Sequence, residues 1–205
     1  MAFFSLIYII NSTFDIIIFV IINYLVHMSE ELKQYILKSG FLLGIIYIVI
    51  DMYKYIGGAE YFLNYYMAFA SIGLSIIFPI YYSVQFRKSK GGYIDFRTAF
   101  SSCTGILIAG GFIHLVFQIL LFNLIDKEFA TAVLDATINM SVDQLESFGM
   151  SESDIEQTIQ TMESSNSYNP VNMLKGFGFM VVCYTIFGLI VASIIKKEKS
   201  VFSNQ

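Results

Sequence analysis

Four long apolar stretches dominate this chain. They cover residues 36–56, 62–86, 100–122 and 173–195. A helix rises 1.5 Å per residue, so about 20 residues cross the hydrocarbon core of a bilayer. A water-soluble domain of 205 residues cannot bury four such stretches, because too little chain remains to cover them. The sequence therefore predicts an all-α integral membrane protein built as a four-helix bundle.

The overall composition points the same way. Apolar residues make up 56% of the chain and charged residues 14%, against roughly 45–50% and 25% in soluble domains. The deviation has the sign and size expected of a membrane protein.

The placement of basic residues predicts the topology. Lysine and arginine are retained on the cytoplasmic side of short loops. If the four stretches alternate in direction, nine of the 12 basic residues fall on one side, leaving only Lys54, Lys127 and Lys175 on the other. We therefore expect a multi-pass protein of the cell (inner, cytoplasmic) membrane, with its C-terminus in the cytoplasm.

Both ends of the chain lie outside the four-helix unit, which we place at residues 28–199. Residues 1–27 form a fifth apolar stretch, interrupted at its centre by Asn11 and Asp15. An aspartate there costs about 2.5–3.5 kcal/mol of insertion free energy. Two interpretations remain open: an extra N-terminal membrane helix, or a natural start at Met28. Residues 200–205 are predicted to form a cytoplasmic tail.

Small residues recur four positions apart within the apolar stretches. Residues with this spacing share a helix face, and small side chains let two helices approach closely in lipid. The pattern predicts close packing at Gly40/Gly44, Ser71/Ser75, Ser101/Gly105/Ala109 and Gly188/Ala192. The two cysteines, Cys103 and Cys183, lie at different predicted depths, and we expect buried, unpaired thiols.

Four polar residues inside the stretches are the candidate site. Asp51 and Lys54 are three residues apart and can pair on one helix face. They lie near the predicted outer end, so the simpler expectation is that both reach the lipid headgroups; the alternative is an ion pathway. His114 lies mid-depth with Gln118 one turn further on. A membrane histidine is a functional hypothesis by default, yet a neutral imidazole bonded to a neighbouring helix needs no further role. We expect a structural role for His114.

Residues 123–172 differ from the rest of the chain, because nine acidic residues face a single lysine. Helical spacing of apolar residues predicts a folded extracytoplasmic insertion of two or three short helices, forming a hairpin on the outer mouth of the bundle. Capping boxes predict helix starts at Ser141 and Ser153, and Gly149 is placed to end a helix. Pro170 should open the last membrane helix.

No catalytic constellation is visible. The sequence lacks paired carboxylates, a zinc box, and a nucleophile with its base. We therefore expect no enzymatic activity, no catalytic residue, no cofactor and no bound metal. The expected partners are the lipid bilayer, proteins at the acidic hairpin and other copies of this chain, but not nucleic acid.

Three segments resemble one family. They are residues 36–54, the loop Gly-Tyr-Ile-Asp-Phe-Arg-Thr-Ala-Phe at 92–100, and Leu-Ile-Asp-Lys-Glu-Phe at 124–129 followed by Gly-Met-Ser-Glu at 149–152. They resemble domain-of-unknown-function family 4199 (DUF4199), small bacterial multi-pass membrane proteins, over about residues 28–199. The resemblance implies four membrane helices with an outward helical insertion before the last, and it carries no catalytic residues. The family's Asp-Pro after the third helix is Asp126-Lys127 here.

Two functions fit these observations. The first is an interaction or regulatory component of the membrane, presenting the acidic hairpin to partners. The alternative is a small oligomeric transporter or channel that uses Asp51, Lys54 and His114.

Overall fold

A computed structural model describes residues 28–165 and 167–198. The described helices are α1 (Glu30–Gly57), α2 (Ala59–Phe62), α3 (Tyr65–Ser89), α4 (Phe96–Leu120), α5 (Lys127–Ser147), α6 (Glu152–Ser165) and α7 (Pro170–Ile195). A π-helical turn, Leu121–Ile125, extends α4. Four helical segments are long and apolar enough to span a membrane: α1, α2 with α3, α4 with its π turn, and α7. The predicted all-α membrane bundle is confirmed.

Polar side chains fix where most helices begin. An N-cap side chain accepts a hydrogen bond from a backbone N–H that has no partner inside the helix. This role falls to Ser29, Asn64, Asp95, Asp126 and Asn169. Pro170 occupies the first turn of α7, as predicted. The second apolar stretch is divided, because the short α2 precedes the cap at Asn64.

Helix α4 is the centre of the bundle and packs on α1, α3 and α7. A Cβ added at Gly40 would lie 2.5 Å from the Ala109 Cβ, and one at Gly44 would lie 2.8 Å from the Ile113 Cβ. These contacts advance together along both helices, so α1 and α4 run parallel. The predicted close packing at Gly40 and Gly44 is confirmed.

Other small residues behave in two ways. Gly188 of α7 packs on Thr104 of α4, which confirms that contact. Ser71 and Ser75 donate to carbonyls of their own helix, and the Ser75 hydroxyl also forms a 2.6 Å hydrogen bond with the Tyr47 hydroxyl of α1. Cys103 is buried as expected, but Cys183 is exposed, so the expectation of a buried thiol is wrong there. It lies on the wide apolar surface of α7, beside Phe179 and Ile186, which faces outward like a lipid-contacting surface.

The loop between α3 and α4 clasps the end of α7. Ile94 and Lys197 exchange two backbone hydrogen bonds of 3.0 and 2.9 Å. The Arg87 guanidinium donates to the Ile195 carbonyl at 2.8 Å. We call this end of the bundle the loop end. The opposite end, where α5 and α6 lie, is the hairpin end.

The α5–α6 hairpin at the hairpin end corrects part of the prediction. Helix α5 continues through Ser141, whose hydroxyl donates to the Thr137 carbonyl, so a new helix does not start there. The chain turns at Gly149, whose φ of +72° suits the predicted helix end. Helix α6 is capped two residues before the predicted cap at Ser153, with the Ser151 hydroxyl accepting from the Asp154 N–H.

The hairpin rests on the end of the bundle, as expected. Phe129 and Val133 of α5 pack with Phe62, Phe122 and Tyr168. Predictions for residues 1–27 and for the tail at 200–205 lie outside the described residues.

Candidate functional site

One face of α1 carries four polar residues near the hairpin end: Tyr47, Asp51, Lys54 and Tyr55. Their spacing of four, three and one places them on one stripe of the helix. That stripe faces α4 and the start of α5. The apolar bundle therefore encloses a polar stripe instead of leaving it on the lipid surface.

Asp51 is the centre of the site. Its side chain is buried, with 4% of its surface exposed, although it is ionisable. One carboxylate oxygen lies 2.9 Å from the Lys54 ammonium. The other lies 2.6 Å from Nε2 of His114 and accepts a hydrogen bond of 2.9 Å from the Gln118 amide. We call these four residues the Asp51 cluster.

The cluster satisfies the conditions for burying a carboxylate. A buried charge is tolerated when an opposite charge and hydrogen bonds replace the lost water. Lys54 provides the charge, and its ammonium also lies 4.3 Å from the centre of the Phe62 ring, a favourable arrangement of a cation over an aromatic face. With a neutral imidazole, the cluster has no net charge.

A cavity of about 440 Å³ lies beside the cluster, between α4 and α7. His114 and Gln118 line it from α4, while Phe177 and Tyr184 line it from α7. Ser167 and Tyr168, just before α7, line it at the hairpin end. His114 thus contacts both the buried carboxylate and a cavity that extends to the hairpin end.

The polar stripe continues to the start of α5. The Tyr55 hydroxyl donates to one Asp126 carboxylate oxygen at 2.8 Å, and the Phe129 N–H donates to the other at 2.8 Å. The Phe129 amide and then the Tyr55 hydroxyl hold the pKa of Asp126 below its ordinary value. Lys127 occupies the first position of α5, where proline is also well tolerated. A lysine at the position where the resemblance leads us to expect proline therefore leaves the helix start intact.

The structure brings together all four predicted site residues. The predicted pairing of Asp51 with Lys54 is confirmed, and so is a hydrogen bond from His114 to a neighbouring helix. The expectation that both Asp51 and Lys54 reach the headgroups is wrong: Asp51 is buried, and only 12% of the Lys54 side-chain surface is exposed. Asp51 is buried because α4 places two hydrogen-bond partners, His114 and Gln118, at the same depth.

Sequence reasoning missed the contact of Asp51 with His114 and Gln118. Their positions along the chain could have indicated this contact. The stretches 36–56 and 100–122 run in the same direction, and Asp51 and His114 lie at similar distances from the ends of these stretches. The roles of Tyr55 and Asp126 were also missed, because the two residues are 71 positions apart in the chain and no local pattern connects them.

The cluster can hold a proton between Asp51 and His114, but it lacks the parts of a hydrolytic or metal centre. Among residues 28–165 and 167–198, no group of three or more histidine, cysteine or acidic side chains is arranged to bind a metal.

The hairpin forms a second notable surface. Ile155 is the buried residue of α6, which packs on α5. Phe148 and Met150 at the turn are exposed. The hairpin therefore presents acidic side chains and an apolar turn away from the bundle.

A family model described as "Protein of unknown function (DUF4199)" matches residues 38–197. The chain belongs to this family. The match covers the first membrane-spanning segment from residue 38 onward, the other three segments in full, and the hairpin. Comparisons with curated proteins and with solved structures find no match.

Proposed function

We propose that this DUF4199 protein is a non-enzymatic interaction or regulatory component of the bacterial inner membrane. It presents the α5–α6 hairpin outside the cytoplasm, and its C-terminus lies inside. If the four segments alternate in direction, nine of the 12 basic residues are expected on the cytoplasmic side, which supports this orientation.

The observation that carries the proposal is the hairpin's packing. Helix α6 packs mainly on α5 and buries one residue, Ile155. Its last residue, Ser165, also accepts a hydrogen bond from the Asn172 amide of α7. This helix of 14 residues buries little surface against the bundle, so its contribution to the stability of the fold is small and a role in binding explains it better. The apolar residues Phe148 and Met150 at its turn are exposed and are flanked in sequence by Glu146 and Glu152. Exposed apolar residues next to polar ones are typical of protein-binding surfaces.

The test is site-specific photocrosslinking in native membranes. A benzoylphenylalanine replaces Phe148 at the turn; the matched control replaces Phe69, an exposed phenylalanine of α3. We expect one reproducible protein adduct from position 148 and lipid adducts from position 69. No protein adduct from position 148, or the same protein from both positions, would contradict the proposal.

Topology is tested separately with an impermeant maleimide. In a background lacking Cys103 and Cys183, Glu146→Cys should react in spheroplasts, whereas Lys88→Cys should react after the membrane is opened. The opposite pattern would reverse the orientation. Recovery outside the inner-membrane fraction would contradict the localisation.

A small oligomeric transporter or channel is the second candidate, favoured by the Asp51 cluster beside its cavity. Ionisable groups inside a membrane often mark an ion path. If the protein transports protons, proteoliposomes should dissipate an imposed pH gradient, and His114→Ala should abolish the flux while leaving the melting temperature within a few degrees. Flux equal to that of protein-free liposomes would exclude this candidate.

A further inference from the structure

A groove of about 630 Å³ lies between α5 and the α2–α3 corner at the hairpin end. Helix α5 contributes a single stripe, made of Ala132, Asp135, Ala136, Asn139, Met140 and Asp143. These residues recur every three or four positions, so they share one face. The opposite wall comes from α2 and the start of α3.

Small side chains line the floor of the groove, so the backbone of a second helix can approach it closely. Ala132 and Ala136 lie one turn apart, and Leu63, Tyr65 and Met140 add apolar surface. Small residues four apart let a second helix approach closely. The groove has the shape and lining that receive the face of an amphipathic helix.

The charge of the groove has one sign. Glu60, Asp135 and Asp143 line it, and its lining contains no lysine, arginine or histidine. In the described part of the chain, the recorded salt bridges involve Glu30, Glu31 and Asp51, not these three carboxylates. Asp135 and Asp143 are eight residues apart, about 12 Å along the helix. A partner with basic residues two turns apart on one face would match both.

We infer that this groove docks a cationic amphipathic helix of a partner protein. The inference rests on the proposed interaction function and names the class of partner. Apolar side chains of the partner would pack over Ala132, Ala136 and Met140. Its lysines or arginines would pair with Asp135, Asp143 and Glu60, which favours correct over incorrect partners.

The first experiment uses the full chain in nanodiscs of zwitterionic lipid. The probe is a fluorescent alanine-rich helical peptide with lysines eight residues apart, and binding is followed by anisotropy. We expect saturable binding that weakens with salt. The double variant Asp135→Lys/Asp143→Lys should weaken binding about 10-fold, since two attractions become repulsions.

Two further variants separate the groove from general surface charge. Glu156→Lys/Glu163→Lys on α6 makes the same change in net charge outside the groove, and binding should change by less than about 2-fold. Ala136→Phe fills the floor without changing charge and should also weaken binding. Equal losses from both charge variants, no effect of Ala136→Phe, or equal binding to empty nanodiscs would overturn the inference.

Photocrosslinking in native membranes distinguishes this inference from the proposed function. A crosslinker at Asn139, inside the groove, should capture the same partner as one at Phe148, at the turn. Capture from position 148 alone would keep the interaction function and reject the groove. Capture from neither would reject both.

Discussion

The Asp51 carboxylate depends on Lys54 for its charge balance. Asp51→Asn leaves the lysine with little exposed surface and no counter-charge, so we expect the free energy of unfolding to fall by about 3 kcal/mol. Adding Lys54→Gln removes the stranded charge and should restore most of the loss. Chemical unfolding in detergent micelles measures both effects. Equal losses in the single and double variants would show that the ion pair is not their source.

Asp126 caps α5 and should make its first turn pH-dependent. Its folded-state pKa is lowered by the Phe129 amide and the Tyr55 hydroxyl, so the unfolded state binds the proton more readily. The stabilisation is therefore complete above the unfolded pKa of about 3.9 and is lost as the pH falls through the lower folded value. The protection of the amides at the start of α5 against exchange, relative to an unfolded chain at the same pH, should fall across that acid range.

Two substitutions separate the charge of Asp126 from its capping bond. Asp126→Asn keeps an N-cap acceptor and should retain slow exchange without the acid transition. Asp126→Ala should exchange quickly at every pH. Unchanged acid dependence in Asp126→Asn would assign the transition to another group.

For single residues, the sequence predicted which polar residues form the site better than it predicted which residues they contact. Asp51, Lys54, His114 and Gln118 stood out because polar residues in a membrane are costly. Their mutual contacts depend on the rotation of α1 against α4, which one sequence does not specify. Placing Asp51 at the headgroups failed for that reason.

The contact between α1 and α4 is a close approach of two backbones. A Cβ at Gly40 meets the Ala109 Cβ and the Gly110 backbone nitrogen, so neither side can yield easily. We expect Gly40→Ala to lower the free energy of unfolding by about 1–3 kcal/mol. The matched control is Gly73→Ala in α3, where nothing lies within 4 Å of the added carbon. An equal loss in both variants would contradict the close-packing explanation.

The hairpin offers a similar comparison between two serines. Ser151 caps α6, so Ser151→Ala should cost that helix about 1 kcal/mol. Ser141 lies inside α5, so Ser141→Ala should cost nothing or stabilise slightly. Exchange rates of the α5 and α6 amides measure both. Fraying of α5 at residue 141 in Ser141→Ala would instead support a helix start there.

The four membrane helices were predictable because about 20 apolar residues in a row leave few alternatives. Inside the hairpin, the same capping pattern occurred at Ser141 and Ser153 but marked neither start. At Ser141 the helical spacing of α5 runs on without a break, and the Ser141 hydroxyl donates to the Thr137 carbonyl one turn back instead of capping a new helix. The continuing helix therefore overrides the local capping signal.

The whole bundle is closed at the loop end by the Ile94–Lys197 pair. Lys197→Pro removes the N–H that bonds to the Ile94 carbonyl, and the extended Lys196 backbone, at φ −56° and ψ 140°, accepts a following proline. We expect a loss of about 1 kcal/mol, or roughly 2–4 °C in melting temperature. Lys197→Gln removes the charge but keeps the N–H, and should melt like the native protein. Equal melting of the Pro and Gln variants would show that this bond does not stabilise the bundle.

For the molecule as a whole, the fold class and family followed from the sequence, because length, hydropathy and three short segments specify them. The groove and the cavity did not. Both lie where helices far apart in the chain meet: the groove depends on how α5 lies against α2 and α3, and the cavity on how α7 lies against α4.

The parallel pairing of α1 with α4 also sets an order of events during synthesis. Helix α1 leaves the ribosome first, and α3 must follow before α4 can reach it. Until then Asp51 has neither His114 nor Gln118, and its one local partner is Lys54, a turn away on the same helix. On α1 alone, Lys54 is therefore the neighbouring charge that can neutralise the Asp51 carboxylate before α4 is in place.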